Sequence, residues 1–178
     1  MTQTPVSTLQ TNPFDDDKLH EECGVFGIYG TEDAAAHTVL GLHALQHRGQ
    51  EAAGISSCNE GEFTNHRAMG QVADHFSKQK VIDQLKGNAA IGHVRYSTTG
   101  GAQIRNIQPL YAELDKGGFA VAHNGNLTNA TALRKRLVKS GSIFQSTSDT
   151  EVILHLVATS TFRTLMDKLI DALRNVEG

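Results

Sequence analysis

Strand-like segments occur in groups along this chain, and the helical segments lie between the groups. Short apolar runs typical of strands cover residues 25–28, 53–58, 62–68, 89–96 and 118–123. Apolar residues with helical spacing cover residues 39–45, 72–85, 130–137, 152–157 and 165–173. Strands that alternate one by one with helices would predict a parallel sheet, whereas this grouping predicts sheets packed together and covered by helices. We therefore expect an α+β fold.

Local signals set the boundaries of several of these elements. The turn residues Asn59-Glu60-Gly61 separate two strands and predict a hairpin. Ser148 and Glu151 have the spacing of a capping box, which predicts a helix N-terminus at that point. The basic residues between Arg134 and Lys139 lie opposite an apolar helical stripe. We interpret them as a solvated helix face rather than a phosphate or nucleic-acid site.

The composition is that of an ordinary soluble globular domain. The chain has 178 residues, 39% of them hydrophobic, and a net charge of -3 with a pI of about 6.3. This balance gives no electrostatic basis for binding nucleic acid or a membrane surface, and no apolar run approaches the ~18 residues that span a bilayer. Two cysteines do not form a disulfide framework, and the first residues lack the features of a secretory signal, so we expect a cytoplasmic protein.

The histidines do not predict a metal site. The chain has nine of them, but they are scattered. His43 and His47 share a helix face, yet Ala44 stands where a zinc-binding His-Glu-x-x-His helix has glutamate. No metal is therefore expected in this segment.

A thiol follows directly after a polar leader. Residues 1–22 contain Pro5, Pro13 and the run Asp15-Asp16-Asp17, so we expect the leader to be disordered and removable. Cleavage before Cys23 would give one residue both a thiol and a free α-amine, whose ordinary pKa values of ~8.5 and ~7.7–8.0 suit proton exchange at neutral pH. This arrangement predicts an N-terminal-nucleophile hydrolase made as a precursor. The alternative is a small buried cysteine at the start of a strand.

Five separated motifs are together more specific than any one of them. They are residues 22–27 (Glu-Cys-Gly-Val-Phe-Gly), 45–54 (Leu-Gln-His-Arg-Gly-Gln-Glu-Ala-Ala-Gly), 92–100 (Gly-His-Val-Arg-Tyr-Ser-Thr-Thr-Gly), 123–127 (His-Asn-Gly-Asn-Leu) and 148–151 (Ser-Asp-Thr-Glu). This set resembles the glutaminase domain of class II glutamine amidotransferases and, within them, the amidophosphoribosyltransferase family. The resemblance extends from about Glu21 to the end of the chain.

The motifs also distinguish between branches of this superfamily. Glucosamine-fructose-6-phosphate aminotransferases usually have Tyr-Arg-Gly-Tyr-Asp-Ser-Ala-Gly at the position of residues 47–54, His-Thr-Arg-Trp at 93–96 and His-Asn-Gly-Ile at 123–126. All three differences favour the purine-synthesis branch. A glutaminase of the aminotransferase type and a non-catalytic fragment are the alternatives.

The resemblance implies an architecture as well as an activity. It implies the four-layer αββα sandwich of N-terminal-nucleophile hydrolases, with two mainly antiparallel sheets. Residues 1–22 would be a propeptide and residues 23–178 the glutaminase domain. The family's last sheet strands and its phosphoribosyltransferase domain have no counterpart here, so we expect a C-terminally truncated domain. Magnesium, a 4Fe-4S cluster of the propeptide-bearing subtype, phosphoribosyl pyrophosphate binding and homo-oligomer formation are implied only for the longer parent protein.

The implied reaction is hydrolysis of glutamine to glutamate and ammonia. The parent enzyme, a glycosyltransferase, would pass the ammonia to phosphoribosyl pyrophosphate and form 5-phosphoribosylamine in purine synthesis. The resemblance gives Cys23 the role of nucleophile, and the side chain of Asn124 and the backbone N–H of Gly125 that of oxyanion donors. A cysteine hydrolase that needs no cleavage, with His93 or His123 as the base, is the alternative mechanism.

The resemblance also assigns the residues that bind the amino-acid end of glutamine. Arg95 would hold the α-carboxylate through its planar fork, and Asp149 would hold the α-ammonium. Tyr96 and Thr98 would shape the pocket. Supporting positions behind these residues are assigned to Arg48 and His93.

Overall fold

The computed structural model describes residues 23–96 and 103–178. Its strands are β1 Gly24–Tyr29, β2 Ala52–Asn59, β3 Glu62–Met69, β4 Ala89–Arg95, β5 Leu110–Leu114 and β6 Gly117–Val121. Its helices are α1 Ala34–Ala44, α2 Val72–Phe76, α3 Gln79–Gln84, α4 Ala130–Lys139, α5 Glu151–Thr159 and α6 Leu165–Leu173. The expected propeptide, residues 1–22, and the expected pocket residue Thr98 lie outside the described residues.

Antiparallel pairing builds both sheets of the described chain. One sheet has the strand order β1-β4-β2-β3, and β5 pairs with β6 in the other. Gly24 at the start of β1 lies opposite Val94 near the end of β4. This register brings Cys23, one residue before β1, to the end of β4. The α+β class with antiparallel sheets is confirmed.

Two apolar cores place the helices on the outer sides of the two sheets. The first core joins α1, α2 and the four-stranded sheet, through Ala34, Ala35, Leu42, Ala53, Ile55, Val72, Phe76, Leu85, Ala90 and Val94. The second joins α4, α5 and α6 to β5 and β6, through Leu127, Leu133, Leu137, Val152, Ile153, Leu156, Val157 and Ala172. The rings of Phe63 in β3 and Tyr111 in β5 lie 5.3 Å apart, between the sheets. The described residues therefore form helix, sheet, sheet and helix layers.

The hairpin and most strands agree with the sequence prediction. β2 and β3 pair from Ala52–Met69 to Asn59–Glu62, and the connecting Glu60 and Gly61 have φ values of 50° and 90°. The strand β5 was not predicted, although Leu110 to Leu114 precedes a turn. The predicted helix over residues 72–85 is two helices, because Lys78 between them has an extended ψ of 117°.

The predicted capping box at the start of α5 is wrong. The N-cap residue is Thr150, and its side chain makes no capping hydrogen bond. Glu151 is the first helical residue, so its carboxylate lies beside the preceding loop instead of reaching back to an N-cap N–H. It accepts from the backbone N–H groups of Gln145 and Ser146 at 2.6 and 2.8 Å and from the Ser146 hydroxyl at 2.7 Å.

The solvated basic face of α4 is confirmed for three of its four residues. Lys135, Arg136 and Lys139 are exposed, but Arg134 is half-buried. The Arg134 guanidinium donates to the carbonyls of Ser146 and Ser148 at 3.0 and 2.8 Å. It also lies 4.0 Å from the centre of the Phe144 ring. Arg134 is thus a structural residue that orders the segment before α5.

Two predicted apolar elements are more exposed than expected. β1 lies at the edge of its sheet among the described residues. Phe26 and Ile28 on one face of β1 pack against the first core, while Val25 and Tyr29 on the other face are exposed. The helix α6 forms as predicted, but Leu165, Met166, Ile170 and Leu173 are exposed. Lys168 and Ala172 are its buried side chains.

None of the helices in the described parts of the chain is both long enough and apolar enough to cross a membrane.

Candidate active site

The thiol of Cys23 lies where β1 begins and β4 ends. Its Sγ donates to the Tyr96 carbonyl at 3.5 Å and accepts from the Tyr96 backbone N–H at 3.4 Å. The side chain is half-buried. Two strand termini thus hold the sulfur at the mouth of a cavity rather than inside the apolar core.

Arg48 holds the backbone of the same cysteine. Its Nε donates to the Cys23 carbonyl at 3.2 Å. Arg48 can reach this position because Gly49 packs directly on β4, where an added Cβ would lie 2.7 Å from the backbone carbon of Arg95. The geometry agrees with the supporting position expected for Arg48.

A cavity of about 430 Å³ opens beside the thiol. Its described walls consist of Cys23, His93, Arg95, Gln103, Asn106, Gln108, His123, Gly125, Asn126, Thr147, Ser148 and Asp149. Five of the predicted site residues are therefore brought together. Asn124 and Tyr96 are not in this wall, and the Asn124 side chain is exposed.

Arg95, the last residue of β4, brings a positive charge to this cavity. Its Nη1 is buried and has no hydrogen-bond partner among the described residues. A buried guanidinium nitrogen without an acceptor is costly, so the arrangement favours an anionic ligand that supplies one. A carboxylate matches best, because its two oxygens fit the guanidinium fork.

Asp149 brings a negative charge and also joins two loops. Its Oδ2 accepts from the Leu127 N–H at 2.8 Å, and its Oδ1 accepts from the Thr150 N–H at 2.9 Å. A carboxylate has about four acceptor positions, so these bonds leave capacity for a ligand donor. With Arg95 and Asp149 in one wall, the cavity is suited to a zwitterionic amino acid.

Gly125, whose backbone N–H is the predicted oxyanion donor, lies in the cavity wall. Its φ is 158°, and an added Cβ would lie 2.8 Å from Nε2 of His123. Only glycine therefore fits this wall position without displacing the neighbouring ring.

His93 is a buried neutral group in the wall. Only 1% of it is exposed, and neither ring nitrogen has a hydrogen-bond partner among the described residues. Burial, followed by the charges of Arg95 and His123, lowers the pKa of His93 to about 4. The imidazole is therefore uncharged at neutral pH.

Two histidines share the cavity with the thiol. Both His93 and His123 line the cavity, and Cys23 Sγ makes hydrogen bonds with the backbone of Tyr96. Nδ1 of His123 is buried without a partner in the described residues. Cys23, His93 and His123 thus line one cavity.

Several wall residues were given no role in the site by the sequence analysis, although two of them, Asn126 and Ser148, belong to the motifs quoted above. They are Gln103, Asn106, Gln108, Asn126, Thr147 and Ser148. A signal exists for two of them, since polar Asn106 and Gln108 alternate with apolar Ile107 and Pro109. In the structure both residues line the cavity, although Asn106 ends a short 3₁₀ helix (Ile104–Asn106) and Ile107 after it is extended.

The described residues contain no group of three or more histidine, cysteine, aspartate or glutamate side chains arranged to hold a metal ion.

Comparison with known proteins identifies relatives of this chain in sequence and in fold. The sequence model of the glutamine amidotransferase domain matches residues 93–174. Amidophosphoribosyltransferase from Rhizobium etli is 58% identical over 167 residues, which cover 94% of this chain and 34% of that protein. The protein of the same name from Lacticaseibacillus casei is 48% identical over 166 residues, covering 93% of this chain and 86% of that sequence.

The fold agrees with a solved structure described as the allosteric regulatory enzyme of purine biosynthesis. The TM-score is 0.82 with 46% sequence identity, over 86% of this chain and 33% of that one. The chain thus spans about a third of the length of this enzyme and of the R. etli relative.

Proposed function

The chain belongs to the amidophosphoribosyltransferase family, and from this premise we propose that its cavity hydrolyses the side-chain amide of glutamine with Cys23 as nucleophile. One observation carries the proposal: Cys23, Arg95, Gly125 and Asp149, from four separate segments, line a single cavity. These residues supply a nucleophile, a carboxylate site, an oxyanion donor and an ammonium site.

The two charged residues orient the substrate. Arg95 binds the α-carboxylate of glutamine and Asp149 binds its α-ammonium. The side-chain amide then extends toward Cys23. Orientation of this kind can supply much of a rate enhancement, because the reacting groups are held close before the chemical step.

The chemistry consists of two acyl transfers. The Cys23 thiolate attacks the amide carbon, and the C=O electrons form an oxyanion. The N–H of Gly125 donates to this oxygen, and Asn124 completes the hole by turning its amide inward. The C–N bond breaks, a proton passes to the nitrogen, and ammonia leaves a thioester on Cys23. Water then hydrolyses the thioester to glutamate and regenerates the thiol.

The proton shuttle is the α-amine that cleavage before Cys23 would free. This amine belongs to the same residue as the thiol, so it stays within reach in both acyl transfers. The alternative base is His93 or His123. Neutral His93 could accept a proton, but the thiol makes its hydrogen bonds with Tyr96.

Tyr96, Thr98, Arg48 and His93 have supporting roles in this proposal. Tyr96 holds the sulfur through its backbone, and Arg48 holds the Cys23 carbonyl. Thr98 shapes the pocket, and His93 provides a neutral wall.

The test measures release of glutamate and ammonia by the purified chain, with the intact mass determined on the same sample. We expect activity only in protein that begins at Cys23, and none in Cys23→Ala. A variant of the residues before Cys23 that keeps its leader, as shown by its intact mass, separates the two bases. Activity of that uncleaved variant would contradict the α-amine mechanism and favour the histidine.

For the longer protein, we propose transfer of the ammonia to phosphoribosyl pyrophosphate, with magnesium, in a cytoplasmic homo-oligomer. Family membership supports this proposal. A 4Fe-4S cluster requires about four cysteine ligands, and this chain has two cysteines. The described residues therefore do not fit such a cluster by themselves, and no step above involves it.

A further inference from the structure

One short segment supports both ends of the cavity. Residues 106–109 run along the wall, and Ile107 and Pro109 are fully buried. The backbone of Gln108 packs on β2, where a Cβ added to Gly54 would lie 2.3 Å from the Gln108 carbonyl oxygen. Arg67 of β3 donates to the Ile107 carbonyl at 3.3 Å. The segment is thus fixed to the four-stranded sheet.

The first amide of this segment holds the loop that carries Asp149. Asn106, 9% exposed, donates from Nδ2 to the Thr147 hydroxyl at 2.8 Å. Its Oδ1 accepts from the Thr147 backbone N–H at 2.9 Å. Both hydrogen-bonding groups of one side chain therefore fix the residue two positions before Asp149.

The second amide holds the loop that carries Gly125. Gln108, 8% exposed, accepts at Oε1 from the His123 backbone N–H at 2.7 Å. His123 lies two positions before Gly125. Each of the two side-chain amides thus binds the backbone of a different loop, in each case two residues before a proposed substrate-contacting residue.

We propose that Asn106 and Gln108 are positioning residues for glutamine hydrolysis, and that the segment between them sets the separation of the oxyanion donor from the ammonium site. This inference rests on the proposed function. Gln108 acts through His123 on Gly125, whose N–H stabilises the oxyanion of the transition state. Asn106 acts through Thr147 on Asp149, which binds the α-ammonium group of the substrate.

The two residues should therefore affect different kinetic constants. Replacing Gln108 by the similarly shaped methionine removes the acceptor of the His123 N–H. We expect Gln108→Met to lower kcat and kcat/KM together by about tenfold or more, because a misplaced oxyanion donor weakens transition-state stabilisation. Asn106→Leu should raise KM by about tenfold and leave kcat within about threefold of its original value. A displaced Asp149 weakens binding of the substrate and of the transition state to the same extent.

The matched control is Gln79→Met, the same substitution at an exposed position on α3. It should leave both constants unchanged. If Gln108→Met and Asn106→Leu instead lower kcat in equal proportion with KM unchanged, the residues act only on the amount of folded protein. That result, or no change in either variant, would overturn the proposal.

Amide hydrogen exchange tests the same assignment without activity. Gln108→Met should speed exchange at the His123 N–H and not at that of Thr147, and Asn106→Leu should do the reverse. Should either variant fail to fold, Gln108→Glu and Asn106→Asp replace them, because each keeps an acceptor oxygen. The backbone N–H groups of His123 and Thr147 should then both exchange slowly. Fast exchange at the backbone N–H groups of both His123 and Thr147 in every variant would overturn the inference. Failure of the unaltered chain to hydrolyse glutamine would instead count against the proposed function.

Discussion

In the proposed function, the side chains of Arg95 and Asp149 make the cavity specific for an amino acid. A guanidinium nitrogen is buried without a partner in the described residues, which costs about 1–3 kcal/mol until an acceptor arrives. The Asp149 carboxylate accepts from two backbone N–H groups. Glutamine has the complementary pair of charges, so in the proposed binding mode its α-carboxylate supplies the acceptor that the Arg95 guanidinium lacks.

Arg95→Lys is expected to raise KM for glutamine by about 10- to 100-fold. Two parallel hydrogen bonds become one point charge, and a hydrogen bond to a charged group contributes about 1.5–3 kcal/mol. Steady-state kinetics on correctly processed protein measures the effect. Arg105→Lys, at an exposed position outside the cavity wall, serves as the control. An unchanged KM in Arg95→Lys would refute the carboxylate role.

His93 should make the protein less stable in weak acid. Its pKa of about 4 in the folded chain lies below the ordinary value near 6.5. Between these values the unfolded chain binds a proton that the folded chain excludes. The free energy of unfolding therefore falls as the pH is lowered from about 6.5 to about 4, by up to about 3 kcal/mol for the full shift.

His93→Gln removes this titration. Urea unfolding at pH 7 and pH 4.5 should show a smaller loss of stability in the variant than in the unaltered chain. The comparison uses the difference between the two pH values, so a uniform destabilisation by the substitution cancels. An equal loss in both proteins would show that His93 is not responsible.

At the level of elements, side chains of both α4 and α5 hold the segment between these two helices in place. Arg134 of α4 binds two of its carbonyls, and Glu151 of α5 binds two of its N–H groups. This short stretch carries Thr147, Ser148 and Asp149 into the cavity wall. Its shape therefore depends on side chains that do not themselves line the cavity.

Arg134→Ala should lower the free energy of unfolding by about 1–3 kcal/mol. The change removes two charge-assisted hydrogen bonds and the stacking on Phe144. Chemical denaturation measures the loss. Arg136→Ala removes an exposed arginine from the same helix and should stay within about 0.5 kcal/mol of the unaltered chain. Equal effects at both positions would contradict the role given to Arg134.

The elements that could be predicted are those whose pattern is local. The hairpin of β2 and β3 follows from alternation around a Gly turn, and α4 follows from its apolar spacing. The split between α2 and α3 could not be predicted, because it depends on how Phe76 and Leu85 both reach the first core. The role of Glu151 depends on a loop fold that spacing alone does not encode.

At the level of the whole molecule, the cavity lies where both sheets and two loops meet. Its walls come from the end of β4, from the segment before β5, and from the loops that follow β6 and α4. Motif resemblance predicted Cys23, Arg95, Gly125 and Asp149, because chemistry restricts these residue types. Asn106 and Gln108 were missed, because their importance arises from contacts with Thr147 and His123 far along the chain.

Glutamine should stabilise the folded chain against heat. At ten times its dissociation constant, a ligand that binds only the folded state adds about 1.4 kcal/mol, which raises Tm by roughly 3–6 °C for a domain of this size. A thermal unfolding series with L-glutamine measures the shift, and D-glutamine at the same concentrations is the control. Equal shifts with both enantiomers would indicate a solvent effect rather than the proposed site.

The central claim is that Cys23 is the nucleophile of a glutamine-binding cavity, and covalent labelling tests it most directly. The chain is treated with a glutamine analogue that carries a diazoketone in place of the amide, and its peptides are then mapped by mass. The diazo carbon takes up the proton that the thiol has lost, and attack by the thiolate on this carbon then breaks the C–N bond, releases N₂ and forms a carbon–sulfur bond. We predict labelling of Cys23, protection by L-glutamine and no label on Cys58. Equal labelling of both cysteines, or labelling of Cys23 that glutamine does not slow, would contradict the account.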